Sequence, residues 1–119
     1  MGALLHCCDF WGNVKSYSVS REWAALINSE FASQYAKEAE LGVEPTPYFR
    51  DLGNPVTMAR NENVFISMVV LPLYRKVDCW LEGYLAGSLA CIELNLKIWK
   101  RVEEGDSGQT LQQFIDGLC

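Results

Sequence analysis

Four consecutive residues near the start of the chain, His6-Cys7-Cys8-Asp9, are its densest run of metal-ligating types. Imidazole, thiolate and carboxylate are the donors that hold zinc. Adjacent side chains diverge, however, whereas zinc sites draw on separated pairs. The chain has one histidine, and none of its five cysteines stands in a Cys-x-x-Cys pair. A self-contained zinc site is therefore not expected. The plainer reading is a helix end with a buried thiol or two and an exposed carboxylate. A second polar row, Glu30, Gln34 and Glu38, recurs at four-residue steps. Such a row is by default the solvated face of a helix.

These groups need a scaffold, and composition bounds it. A chain of 119 residues makes at most one small domain, and 50% apolar content permits a modest core. A net charge of −5 argues against a nucleic-acid partner. The basic cluster Lys97, Lys100 and Arg101 falls near a helix end, where cations complement the dipole. The cysteines read as reduced thiols, which suits a cytoplasmic protein. Residues 3–5 are too short an apolar run for a secretory leader. No stretch reaches the roughly 20 residues that cross a bilayer. Chemically loaded residues so close to a terminus fit a chain that is part of something larger.

The helical elements follow from spacing. Residues 61–80 are the most apolar long segment and read as a helix beginning near Thr57, with a strand as the alternative over residues 64–71. Being apolar almost all round, it belongs in the middle of a bundle. Pro72 predicts a kink, with the carbonyl four residues back left unpaired. Upstream, Ser18 or Ser20 can cap a helix that runs to about Leu41. Its apolar stripe is Trp23, Leu26, Ile27, Phe31 and Tyr35, and Gly42 ends it in a left-handed conformation. Residues 43–55 read as loop. Residues 81–102 carry a stripe of Tyr84, Leu85, Leu89, Ile92, Leu96 and Trp99, with a break expected around residues 83–87. Residues 103–108 are a polar hinge, and residues 110–118 a short amphipathic tail. The fold class is all-α. Three helices with so apolar a middle member leave surface for a partner. That partner is expected to be a second copy of the chain or an upstream segment.

In order and spacing these landmarks resemble the C-terminal part of the class I 3′,5′-cyclic-nucleotide phosphodiesterase catalytic domain. That family has a His-Cys-Ala-Asp segment, matched by His6-Cys7-Cys8-Asp9. It has an Arg-x-Trp at the distance of Arg21-Glu22-Trp23, then Glu-Phe, Gln and Glu where this chain has Glu30-Phe31, Gln34 and Glu38. Leu41-Gly42, Pro47, Phe65-Ile66 and Pro72-Leu73 continue the register. The resemblance implies the C-terminal helical subdomain of the phosphodiesterase HD-type fold, over residues 1–104, with residues 105–119 as a tail holding a short helix. It implies hydrolysis of cyclic AMP or cyclic GMP to the 5′-monophosphate at a dimetal site, zinc with magnesium or manganese. Asp9 matches the last metal-binding aspartate, and Phe65 the aromatic that stacks on the purine. His6 and Gln34 fall in supporting positions.

Departures from the pattern are equally specific. The other metal-binding histidines and aspartate, and the general-acid histidine, belong to motifs upstream of His6, so no catalytic residue is assigned within this chain. The position that reads the purine edge, normally Gln, is Glu62. Ionised Glu only accepts hydrogen bonds, whereas Gln both donates and accepts. An Asn three residues after the metal aspartate is replaced by Gly12. The family's Gln-Gly-Asp run falls on Gln34-Tyr35-Ala36.

Overall fold

Helix α1 (Gly2–Asp9) opens the computed structural model, which describes residues 2–118. A 3₁₀ turn, Trp11–Val14, leads into α2 (Tyr17–Glu40), the longest helix. Its N-cap is Ser16 rather than Ser18 or Ser20, because the Ser16 carbonyl accepts the first helical bond, from the Ser20 amide at 2.9 Å. The Ser16 hydroxyl pairs with Ser18 Oγ at 3.1 Å instead of capping the backbone. At the other end Gly42 has φ +69°. The Val43 amide reaches back to the Glu38 carbonyl and the Gly42 amide to that of Ala39. That pair of bonds is a Schellman stop, which needs the left-handed residue the sequence supplies.

The loop after α2 is tied down at several points. A short 3₁₀ turn, Pro47–Phe49, stacks Phe49 on Phe31 with centroids 4.3 Å apart. Leu52 is buried. Asn54 then caps α3 (Pro55–Phe65), its side chain accepting from the Val56 amide at 2.9 Å. Proline at the first helical position costs no hydrogen bond, so α3 begins two residues earlier than Thr57.

A helix covers the apolar segment, as spacing predicts, but its centre is not α-helical. Residues Ile66–Val70 form a π-helical turn, and the Leu71 amide closes it on the Ile66 carbonyl five residues back. Helix α4 (Leu71–Trp80) follows directly, with Pro72 in its first turn. The irregularity expected at Pro72 takes the form of this wider turn, which directly precedes the proline. Proline brings no N–H to the ladder at this point, and the helix runs on through it from the π turn into α4. Residues 81–85 break the chain where the glycines predict it. Glu82 and Gly83 both have positive φ, and the Asp78 carboxylate accepts from the Leu85 amide at 2.6 Å. Helices α5 (Ala86–Glu103) and α6 (Gly108–Leu118) complete the chain. No strand occurs among the described residues.

The core lies where α3, the π turn and α4 pack on α5. Ala59, Ile66, Val70, Ile92 and Trp99 are fully buried there. The segment is not enclosed all round, as the sequence suggested. Met68 is 74% exposed and Val64 48%. Helix α2 also inverts the expectation. Its inward face is Ser20, Ala24 and Asn28, whereas Trp23, Leu26 and Ile27 of the predicted stripe are 43–64% exposed. The molecule measures 50 × 41 × 18 Å with a radius of gyration of 15.7 Å. A compact domain of this length would have a radius near 13.5 Å, about 2 Å less. A slab so thin can enclose one line of helix contacts and leaves apolar side chains on its outer faces.

Candidate functional site

A cavity of about 410 Å³ opens between the end of α1, the first 3₁₀ turn, α2 and α3. Its size suits a small organic ligand. Asp9, Glu62 and Phe65 all line it, so the fold gathers into one place three residues separated by up to 56 positions. The remaining wall is largely aromatic and aliphatic, with Trp11, Trp23, Ile27 and Phe31 prominent.

Each wall is held by an identifiable contact. The end of α1, which carries Asp9, is pinned by Tyr74, whose hydroxyl donates to the Cys7 carbonyl at 2.7 Å. Burial, then the neighbouring Cys7 and Cys8 thiols, push the Tyr74 hydroxyl up to about 12, so it remains a donor at neutral pH. Cys7 is buried and Asp9 exposed, the helix end anticipated from sequence. His6 Nδ1 lies 3.9 Å from the Asp9 carboxylate. The His6 ring meets Phe10 edge-on, and Phe10 meets Phe65 edge-on at 5.3 Å. An aromatic relay thus connects the carboxylate end of the cavity to its base.

The turn after α1 is fixed from below. Asn95, 1% exposed on α5, donates to the Asn13 and Lys15 carbonyls at 3.0 and 2.8 Å. Gly12 lies against Trp23: a Cβ there would sit 3.3 Å from Trp23 Cγ. A larger residue here, such as the asparagine the resemblance implies, would press on the Trp23 ring. Trp23 also meets Trp11 edge-on at 5.4 Å.

Glu62 faces the cavity from α3. Its Oε1 accepts from Asn28 Nδ2 at 3.4 Å, while the same amide donates at 2.7 Å to the Ala24 carbonyl. Burial raises the Glu62 pKa above the ordinary carboxylate value, and the Asn28 bond offsets part of that rise. Tyr48 closes the rim, donating its hydroxyl to the Asn61 carbonyl at 3.0 Å while Asn61 donates back to the Tyr48 carbonyl. Burial, with the adjacent Glu62, raises the Tyr48 hydroxyl.

Gln34 is not in the cavity. It is exposed and donates to Glu38 Oε1 at 2.7 Å, and Glu38 Oε2 takes the Thr46 amide at 3.2 Å. The polar row is therefore partly a clasp between α2 and the following loop. Nor do the metal-ligating types converge. Among the described residues no three His, Cys, Asp or Glu side chains come together. Asp9 with His6 does not fit a dimetal centre, which needs several ligands on each ion.

A family model described as 3′5′-cyclic nucleotide phosphodiesterase matches residues 1–85. The chain belongs to that family. A dual-specificity calcium/calmodulin-dependent 3′,5′-cyclic nucleotide phosphodiesterase of Drosophila melanogaster is 33% identical over 86 residues, 72% of this chain and 10% of its own length. A probable 3′,5′-cyclic-AMP phosphodiesterase of Caenorhabditis elegans is 32% identical over 67% of this chain and 11% of its own length. Two crystal structures of phosphodiesterase domains from the choanoflagellate Salpingoeca rosetta share the fold. One, from a rhodopsin phosphodiesterase fusion, has a TM-score of 0.82 at 28% identity, covering 87% of this chain and 32% of that one. The other has a TM-score of 0.81 at 26% identity, covering 98% and 33%. This phosphodiesterase-family chain therefore spans about a third of the solved domains and about a tenth of the curated relatives.

Sequence reasoning missed several residues that shape the phosphodiesterase-family pocket. Asn28 and Asn95 are buried amides that fasten its walls, and Tyr74 holds α1 from 67 residues away. Asn28 carried one local signal, its place four residues from Ala24 and eight from Ser20 on a single helix face. Asn95 and Tyr74 act across the fold, and no local pattern announces them.

Proposed function

We propose that this chain supplies the base-binding wall and one metal-ligating carboxylate of a site that hydrolyses 3′,5′-cyclic nucleotides to 5′-monophosphates. The observation that carries the reading is the single cavity shared by Asp9, Glu62 and Phe65. In it Phe65 stacks on the purine, Glu62 faces the purine edge, and Asp9 contributes to binding divalent metal, zinc with magnesium or manganese. His6 steadies Asp9 across 3.9 Å. Gln34 supports the site only indirectly, through its clasp with Glu38. Because these residues do not complete a dimetal centre, the remaining ligands must come from another polypeptide segment. We take residues 1–104 as the partial catalytic domain and residues 105–119 as its tail. Four described cysteines are unpaired, which supports a cytoplasmic setting. Among the described residues no helix is long and apolar enough to cross a membrane.

The test is binding separated from turnover. The purified chain should bind cyclic nucleotide, and Phe65→Ala should weaken that binding at least tenfold. It should show no hydrolysis with zinc and magnesium present. Turnover that disappears in Asp9→Ala would overturn the view that this chain is only part of the site.

A second reading, a non-catalytic helical interaction module, is favoured by the exposed Met68, Val64, Trp80 and Tyr84. It requires that a second copy or an upstream segment cover these side chains. A monodisperse monomer that melts cooperatively would count against it.

A further inference from the structure

Glu62 is an acceptor with almost nothing to accept from. Its Oε1 has one long bond, 3.4 Å, from an Asn28 amide already committed at 2.7 Å to a carbonyl. Its Oε2 receives no hydrogen bond from any described residue, and neither lysine nor arginine lies within ion-pair distance among them. The other ionisable groups around the cavity, Asp9 and Tyr48, bring no positive charge. A half-buried carboxylate with so few protein donors gains from a ligand that brings its own. Phe65 stands three residues on, and the i, i+3 relation puts both side chains on one face of α3. The cavity therefore asks for a flat ring to lie on Phe65 that carries two neighbouring N–H donors along one edge.

Resting on the pocket reading above, we propose that Glu62 makes this cavity select a guanine-type base, its two carboxylate oxygens accepting from the ring N1–H and the 2-amino group. Both oxygens are acceptors, so the pairing is bidentate and charge-assisted. Adenine offers a 6-amino donor beside the bare N1 acceptor, and that acceptor would face a carboxylate oxygen. An amide at position 62 can turn either way and tolerates both edges. The carboxylate cannot.

The experiment uses the 119-residue chain, titrated with cyclic GMP, cyclic AMP and cyclic IMP and followed by ligand-observed NMR. Cyclic IMP keeps the N1–H and lacks the 2-amino group. The expected order is cyclic GMP tightest, cyclic IMP intermediate and cyclic AMP weakest, with roughly tenfold or more between the extremes, as one bidentate base contact discriminates. Glu62→Gln should bring cyclic GMP and cyclic AMP within about twofold of each other. Phe65→Ala should weaken all three alike. Equal affinities in the unsubstituted chain, or a preference for cyclic AMP, overturn the base selection and leave the pocket reading intact. No binding of any of the three overturns both.

Discussion

The α3–α5 region and the α1–α2 region are built on different terms. Where α3 and the π turn meet α5, five apolar side chains have no exposed surface at all, and α5 buries Ile92, Asn95, Ile98 and Trp99. Across α1 and α2 the large apolar groups Leu4, Leu5, Trp23, Leu26 and Ile27 are 43–65% exposed, while the buried face of α2 is a serine, an alanine and an asparagine. The first region is a core in its own right. The second carries most of the cavity wall, adds only the small side chains of Cys7 and Ala24 to the buried core, and leans on the polar tethers from Tyr74 and Asn95. A ligand site on such a wall is positioned cheaply, but depends on each tether.

The widest gap between the two should appear on truncating an aromatic in the core. Trp99→Ala removes a fully buried ring that meets Tyr17 edge-on, and should cost about 3–5 kcal/mol in urea denaturation. Asn95→Ala tests the tethers themselves. It should cost about 0.5–1.5 kcal/mol per bond, because two part-buried carbonyls lose their donor. Hydrogen exchange should speed up locally in the turn after α1, with α3 and α5 unaffected. If exchange rises uniformly instead, the two regions are one cooperative unit.

A smaller effect is expected from Glu62, and only in its pH dependence. Burial raises its native pKa above the ordinary 4.5, so the native state holds this proton more tightly than the unfolded chain. Stability from this group is therefore greatest below about pH 4.5 and is lost as pH rises from there through the raised native value. Glu62→Gln should abolish that decline, so the difference in urea midpoint between the two proteins should open as pH rises. A constant difference would mean that Glu62 is not desolvated. Least of all should follow from Leu26→Ser, on the outer face of α2: a change within about 0.5 kcal/mol in thermal melting. A larger loss would show that this face is covered in solution.

Much of the first region was legible. Helical spacing placed Ile92 and Trp99 on a buried stripe, and the glycines placed a break around residues 83–87, overlapping the one at 81–85, because hydrophobic period and backbone permissiveness are local properties; in the second region Gly42 marked the left-handed stop of α2 on the same grounds. The register of Asp9, Glu62 and Phe65 with the family pointed to residues that the fold does bring into one cavity. The inversion of α2 was not legible. Periodicity finds an apolar stripe but does not say which face meets the rest of the chain, and here the small residues do. Gln34 stayed in register with the family yet sits outside the cavity, since register fixes a position along a helix and not what stands opposite it. The π turn was hidden for a related reason: one surplus residue leaves no trace in composition.

That surplus residue acts as an angular setting. An α-helix advances about 100° per residue, so a π turn adds one such step within a single winding. Upstream of Ile66–Val70 the helix shows Glu62 and Phe65 to the cavity; downstream it shows Tyr74 and Val77 to the interior. Both orientations hold together only with the extra step between them. Deleting one residue from the turn would leave the lower half seated and swing the upper half around the axis, so the aromatic and the carboxylate would leave the cavity as a pair.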